Sequence, residues 1–164
     1  MISGGSRGVH PRRILLPALL VGAVLFPACS SNTPTAPGAA ARAVLTLKVQ
    51  PNPIVADPIP SGFQIRYTIT VTETAGVGGQ FEFVNSTLFD DVTGSQVAVN
   101  NFDNKDLIVF LGSDRLDPGA SLDVPQTIAY VTPGGGKAAL LTVAVRFKDD
   151  KNNLINRSIL VKIV

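Results

Sequence analysis

Pairs of carboxylates are the groups in this 164-residue sequence whose spacing could do chemistry: Asp90 with Asp91, Asp103 with Asp106, Asp114 with Asp117, and Asp149 with Asp150. Two carboxyl groups flanking a glycosidic bond can act as acid and base or nucleophile. A loop that gathers six or more oxygens can hold calcium. The stretch Asn100-Asn101-Phe102-Asp103-Asn104-Lys105-Asp106 is oxygen-rich, but Lys105 intrudes and no glutamate closes it. It therefore lacks the elements of a calcium loop. All four pairs fall where turns are expected, and aspartate favours turns because its side chain hydrogen-bonds nearby backbone groups. A chain of this size also has little room for a glycosidase cleft. Turn-forming carboxylates are the stronger reading.

Other catalytic parts are missing. The single histidine, His10, and the single cysteine, Cys29, both lie near the N-terminus. That leaves no Ser-His-Asp or Cys-His arrangement and no His- or Cys-ligated zinc in the rest of the chain. Gly134-Gly135-Gly136-Lys137 has neither the preceding spacing of a phosphate loop nor a Ser or Thr after the lysine. It reads as a turn between strands. The expectation is a protein that is not an enzyme and needs no cofactor, no metal and no small-molecule substrate.

The N-terminus has a different character. Met1 to Arg13 carries Arg7, Arg12 and Arg13 without an acidic residue, and Ile14 to Phe26 is almost wholly apolar. A basic start followed by a short apolar core is the pattern of a secretory signal peptide. A membrane-spanning helix needs about 18 or more apolar residues, and Pro17 and Pro27 interrupt and close this run. Cys29 follows directly, in Leu25-Phe26-Pro27-Ala28-Cys29, with Ser30-Ser31-Asn32 after it. The segment resembles the lipobox of bacterial lipoproteins, in which a small residue precedes a cysteine that is diacylated and becomes the new N-terminus. The resemblance implies lipidation at Cys29 and, with Ser30 rather than aspartate next, the outer membrane if the host has one. The competing reading is an ordinary leader cut near Ala39-Ala40-Ala41.

Removing residues 1–28 takes three of the 14 basic residues and none of the 12 acidic ones, leaving a net charge of −1. No block of like charge remains, so nucleic-acid binding has no electrostatic footprint. Ser30 to Arg42, small, polar and Pro-rich, lacks the apolar side chains that would offset the entropy of ordering. It reads as a tether reaching at most about 40 Å.

The rest of the chain alternates with a period of two. Phe63, Ile65, Tyr67, Ile69 and Val71 fall on one face of a strand, as do Leu141, Val143, Val145 and Phe147, and then Ile159, Val161 and Ile163. These residues are the predicted core. Asp149 to Asn153 is the turn of a predicted hairpin. Leu45, Leu47 and Val49 make a first strand, Phe81 and Phe83 open another, and Ser121 to Val131 is a further candidate. Val97 to Val99 and Leu107 to Leu111 are short apolar runs, and no segment shows sustained helical periodicity. Most aromatic residues sit on an apolar strand face, where a core role outweighs a sugar-binding one that would need exposed rings.

Leu116-Asp117-Pro118-Gly119-Ala120-Ser121-Leu122-Asp123-Val124 and Val143 to Asp150 with their hairpin return are similar to segments of bacterial Ig-like and fibronectin type III-like modules. The resemblance implies an all-β, antiparallel Ig-like sandwich of seven to eight strands after a signal peptide and flexible linker. The expected organisation is a leader over 1–28, lipidated Cys29 and linker over 29–43, and the sandwich over 44–164. Two roles fit it. One is a lipid-anchored envelope module that binds an envelope protein; the other is a small inhibitor presenting one long loop, with Asp90 to Asp106 as the candidate. An open sheet edge or face favours the first.

Overall fold

The computed structural model describes residues 42–137 and 139–164. The leader, Cys29 and the linker as far as residue 41 lie outside the described residues. The elements in chain order are β1 (Leu45–Gln50), β2 (Asp57–Ile59), β3 (Gly62–Glu73), β4 (Gly79–Asp90), β5 (Gln96–Asp103), α1 (Asn104–Leu111), β6 (Arg115–Leu116), β7 (Ser121–Tyr130), β8 (Ala139–Asp149) and β9 (Leu154–Ile163). β2 and β6 are only three and two residues long. The seven longer strands match the number that alternation predicts.

They form two antiparallel sheets packed as a sandwich. In the first, β7 pairs along the length of β3 from Phe63 to Thr72, while β1 and β2 share the opposite edge of β3. In the second the order is β5-β4-β8-β9, with β6 beside β4. Ile65, Tyr67, Ile69, Val71, Leu141, Val143, Val145, Phe147, Val161 and Ile163 are buried, while Phe63 and Ile159 pack at the margin of this core. Burying such side chains contributes roughly 1.5–3 kcal/mol each. β8 and β9 form the predicted hairpin, turning between Asp149 and Leu154.

Two features depart from simple alternation. The pairing of β4 with β8 shifts between Phe81 and Phe83. A bulge adds a residue and so moves the inward phase by one: Phe81 is buried, and after it Val84, Ser86 and Leu88 point inward instead of Phe83. The run Leu107 to Leu111 is not strand-like but the greater part of α1. Asp103 and Asp106 form a capping box at its N-terminus, and Gly112, with φ of 82°, ends it. This local capping chemistry outweighs the weak periodicity, because within α1 only Leu107 is buried.

The two sides of the sandwich differ. On the β1/β9 side, Ile54 donates to the carbonyl of Lys162, Val164 to Ile54, and Ala56 to Val164. Arg157, at an inward position of β9, reaches the Leu45 carbonyl at 3.2 Å. That side is zipped shut. On the other side β5 and β7 are the edge strands of their sheets, and Pro125 within β7 suits an edge because it cannot donate to a ladder.

Candidate binding cleft

Four strands each place a polar residue at an inward position beside this open side: Tyr67 in β3, Ser86 in β4, Asn100 in β5 and Gln126 in β7. The register makes them two cross-strand pairs, Tyr67 opposite Gln126 and Ser86 opposite Asn100. Asn100 Nδ2 donates to Gln126 Oε1 across the gap between sheets at 2.7 Å. Tyr67, Ser86 and Gln126 are only 4, 1 and 5 % exposed. Gln126 Nε2 has no hydrogen-bond partner among the described residues, while the Tyr67 and Ser86 hydroxyls lie side by side, close enough for a hydrogen bond between them to act on the Tyr67 phenol. Burial pushes the Tyr67 phenol up to about 12, outweighing the opposing effect of the Ser86 hydroxyl beside it. The group therefore stays a neutral hydroxyl.

A cleft of about 590 Å³ opens onto this cluster, with Tyr67, Asn100 and Gln126 in its wall and Phe102, Phe110 and Pro125 supplying apolar surface. The volume is that of a small-molecule site, roughly 300–1,000 Å³. Phe102 from β5 and Phe110 from α1 lie with ring centroids 5.5 Å apart and planes tilted by 43°. Phe110 is 53 % exposed, so its ring is offered to solvent and not packed away. α1 thus positions an aromatic surface above a polar wall. Arg66 is the one charged residue in the lining, and it already contacts Gln64 Oε1 at 2.6 Å and Asp57 Oδ2 at 3.5 Å.

The carboxylates singled out in the sequence are spread around the fold. Buried Asp90 accepts from the N–H groups of Val92 and Thr93 and from the Thr93 hydroxyl, which hold its carboxyl below the usual range. Buried Asp149 accepts from Lys151 and Asn153 in the β8–β9 turn and from the Ala43 N–H. Burial alone would raise its pKa, but these donors and the Asn153 amide bring it to about 2. Asp150 takes a two-pronged contact from Arg115, at 3.0 and 2.8 Å, while Arg115 Nε reaches Asp117 at 3.1 Å. Asp103 and Asp106 cap α1, each accepting the other's backbone N–H. Among the described residues no three acidic, His or Cys side chains gather as a metal site. Gly134 to Lys137 lies in the β7–β8 connection, where the Tyr130 and Thr132 hydroxyls donate to the carbonyls of Lys137 and Gly136.

Asp90 to Asp106 is not one long loop. Only residues 91–95 separate β4 from β5, and α1 begins directly after β5.

No protein family matches the sequence, and no curated protein matches it either. Solved structures do resemble it. The structural-genomics target SoR45 superposes with a TM-score of 0.53 at 10 % identity, over 71 % of this chain and 84 % of that one. A Bordetella pertussis target carrying the name ApaA gives 0.52 at 12 % identity, over 73 % of this chain and 93 % of that one. The likeness is one of fold.

Glu73 and the four-residue polar cluster carry no familiar motif, yet the sequence holds a signal for two of these five residues. Glu73, after Ile69 and Val71, and Gln126, between Val124 and Ile128, each replace an apolar residue at the inward phase of an alternating strand, whereas Tyr67 fits its apolar face, Asn100 lies in a stretch expected to turn, and Ser86 faces inward only because of the bulge after Phe81. Buried polar groups need partners, so such positions mark either internal staples or sites. Glu73 is a staple. Its carboxylate accepts from the N–H groups of Val44, Ala75, Gly76, Val77 and Gly119.

Proposed function

We propose that this chain is a lipid-anchored envelope protein, attached through Cys29, that displays a non-catalytic binding module whose recognition surface is the β5/β7 side. The observation that carries the binding half is the asymmetry of the sandwich. Backbone hydrogen bonds close the β1/β9 side, while the β5/β7 side keeps a cleft walled by Tyr67, Asn100 and Gln126 with an exposed aromatic ring, Phe110, beside it. A concave, mixed polar and aromatic surface of this size suits a ligand. The anchoring half is supported by the basic start, the apolar run Ile14 to Phe26 and the Ala28-Cys29 pair after it. The loop-presenting inhibitor draws no support, since residues 96–103 and 104–111 belong to β5 and α1.

Photo-crosslinking side chains placed at Phe110 or Thr127, beside the cleft, and at Leu160, an exposed position of β9, test the reading in membranes of the producing cell. Discrete adducts with an envelope component are expected from the first two positions and not from Leu160. Adducts that form equally at all three, or at none, would contradict it.

A further inference from the structure

We infer that α1 is a membrane-contacting element whose exposed apolar residues enter the acyl region of a bilayer, so that the β5/β7 side meets the lipid surface. Every residue from Leu107 to Leu111 is apolar, yet within α1 only Leu107 is buried. Ile108, Val109 and Phe110 are 47, 88 and 53 % exposed. Exposed apolar patches mark contact sites. Successive helix residues are turned by about 100°, so these three side chains cover roughly 200° of the circumference. A helix that docks in a protein groove presents one stripe, at i, i+3, i+4 and i+7. One that is apolar nearly all round suits surroundings that are apolar on every side, as acyl chains are. The helix is also held in place, by Leu107 beneath it, by the capping box at its start and by Phe102 against Phe110.

The place of α1 in the fold brings this surface near the proposed anchor. The helix follows Asp103, opposite Phe83, and the chain returns as β6, where Arg115 lies opposite Gln80. Both ends of α1 are thus tied to the half of β4 that begins at Gly79. Gly79 lies opposite Asp149, whose carboxylate accepts the Ala43 N–H. The chain from Cys29 joins the sandwich at that same end, and Ser30 to Arg42 spans at most about 40 Å. Val92, as exposed as Val109, lies in the β4–β5 turn at the opposite end. Asp103 and Asp106 at the start of α1 are exposed, and Lys105 is its one cation, so anionic headgroups add no net attraction. Apolar burial is left as the driving force. Nearness of a bilayer rests on the anchored-envelope reading, but insertion is read at α1 and lipidation at Cys29, so each can fail alone.

Fluorescence quenching of the full chain in phosphatidylcholine vesicles with brominated acyl chains tests it. An environment-sensitive fluorescent amino acid replaces Val109 or, as the control, Val92. Emission at Val109 should shift to the blue and be quenched relative to unbrominated vesicles, while emission at Val92 should not change. Ile108→Ser in the chain labelled at Val109 should lower the ratio of inserted to free probe by about tenfold, the loss expected for one apolar side chain. Its unfolding midpoint should hardly move, because Ile108 is already half exposed in the folded domain. Anionic phosphatidylglycerol in the vesicles should not strengthen the quenching. Intact mass of the same sample reports acyl chains at Cys29 separately. Three results would overturn the inference: no quenching at Val109, quenching no greater there than at Val92, or quenching that requires anionic lipid and vanishes in high salt. A photo-crosslinker at Val109 that yields a single protein adduct in membranes of the producing cell would do so too, since α1 would then occupy a protein groove.

Discussion

Glu73 holds together the end of the sandwich where the described chain begins. It gathers N–H groups from Val44 just ahead of β1, from the β3–β4 turn and from Gly119 ahead of β7. Asp149 does the same for Ala43 and the β8–β9 turn. In both, burial works against ionisation but backbone donors outweigh it; Asp149 has the Asn153 amide as well. Each folded-state pKa sits at about 2, against ordinary values of 4.5 and 3.8. A depressed carboxylate contributes stability that is fully present above its unfolded pKa and is lost as pH falls through the folded one. Stability should therefore be flat above about pH 5 and fall towards pH 2. Glu73→Gln should shrink that fall in denaturant titrations across the acid range. Glu73→Ala, which strands several N–H groups, should cost about 2–4 kcal/mol at neutral pH. An unchanged acid limb in Glu73→Gln would refute the role.

At the scale of elements, most of the fold is legible because packing and periodicity agree. β3, β8 and β9 read directly from alternation, and the Asp149 to Asn153 turn pairs β8 with β9. What is illegible has a local cause. The bulge after Phe81 changes the inward phase of β4 without any residue that announces it. α1 hides inside an apolar run because its start is written in capping residues and not in a hydrophobic stripe. The same capping box accounts for Asp103 and Asp106, whose spacing raised the question of calcium. Asp103→Ala should cost about 1 kcal/mol through the lost cap, and calcium should leave the unfolding midpoint of the parent protein unchanged. A calcium-dependent rise that disappears in Asp103→Ala would restore the metal reading. Gln126, between Val124 and Ile128, is the member of the polar cluster that shows in the sequence as a break in alternation; Asn100 lies in a stretch expected to turn, and Ser86 faces inward only because of the bulge. Their convergence is illegible, because it depends on how the two sheets face each other and on α1 bringing Phe110 to Phe102.

At the scale of the whole molecule, the proposed anchor in the first 32 residues serves a binding surface on one side of the sandwich. A diacylated cysteine would hold the domain at a membrane without any spanning helix, since each buried methylene contributes about 0.8 kcal/mol and durable anchoring takes two or more chains. Among the described residues no helix is long and apolar enough to cross a membrane. The most direct test is the intact mass and membrane partition of the wild-type chain beside Cys29→Ala, both expressed in a bacterial host. The wild type should begin at Cys29, carry the added mass of its acyl chains and sediment with membranes, whereas Cys29→Ala should carry no acyl mass. A wild-type chain that is soluble, unmodified and cut elsewhere would contradict the account.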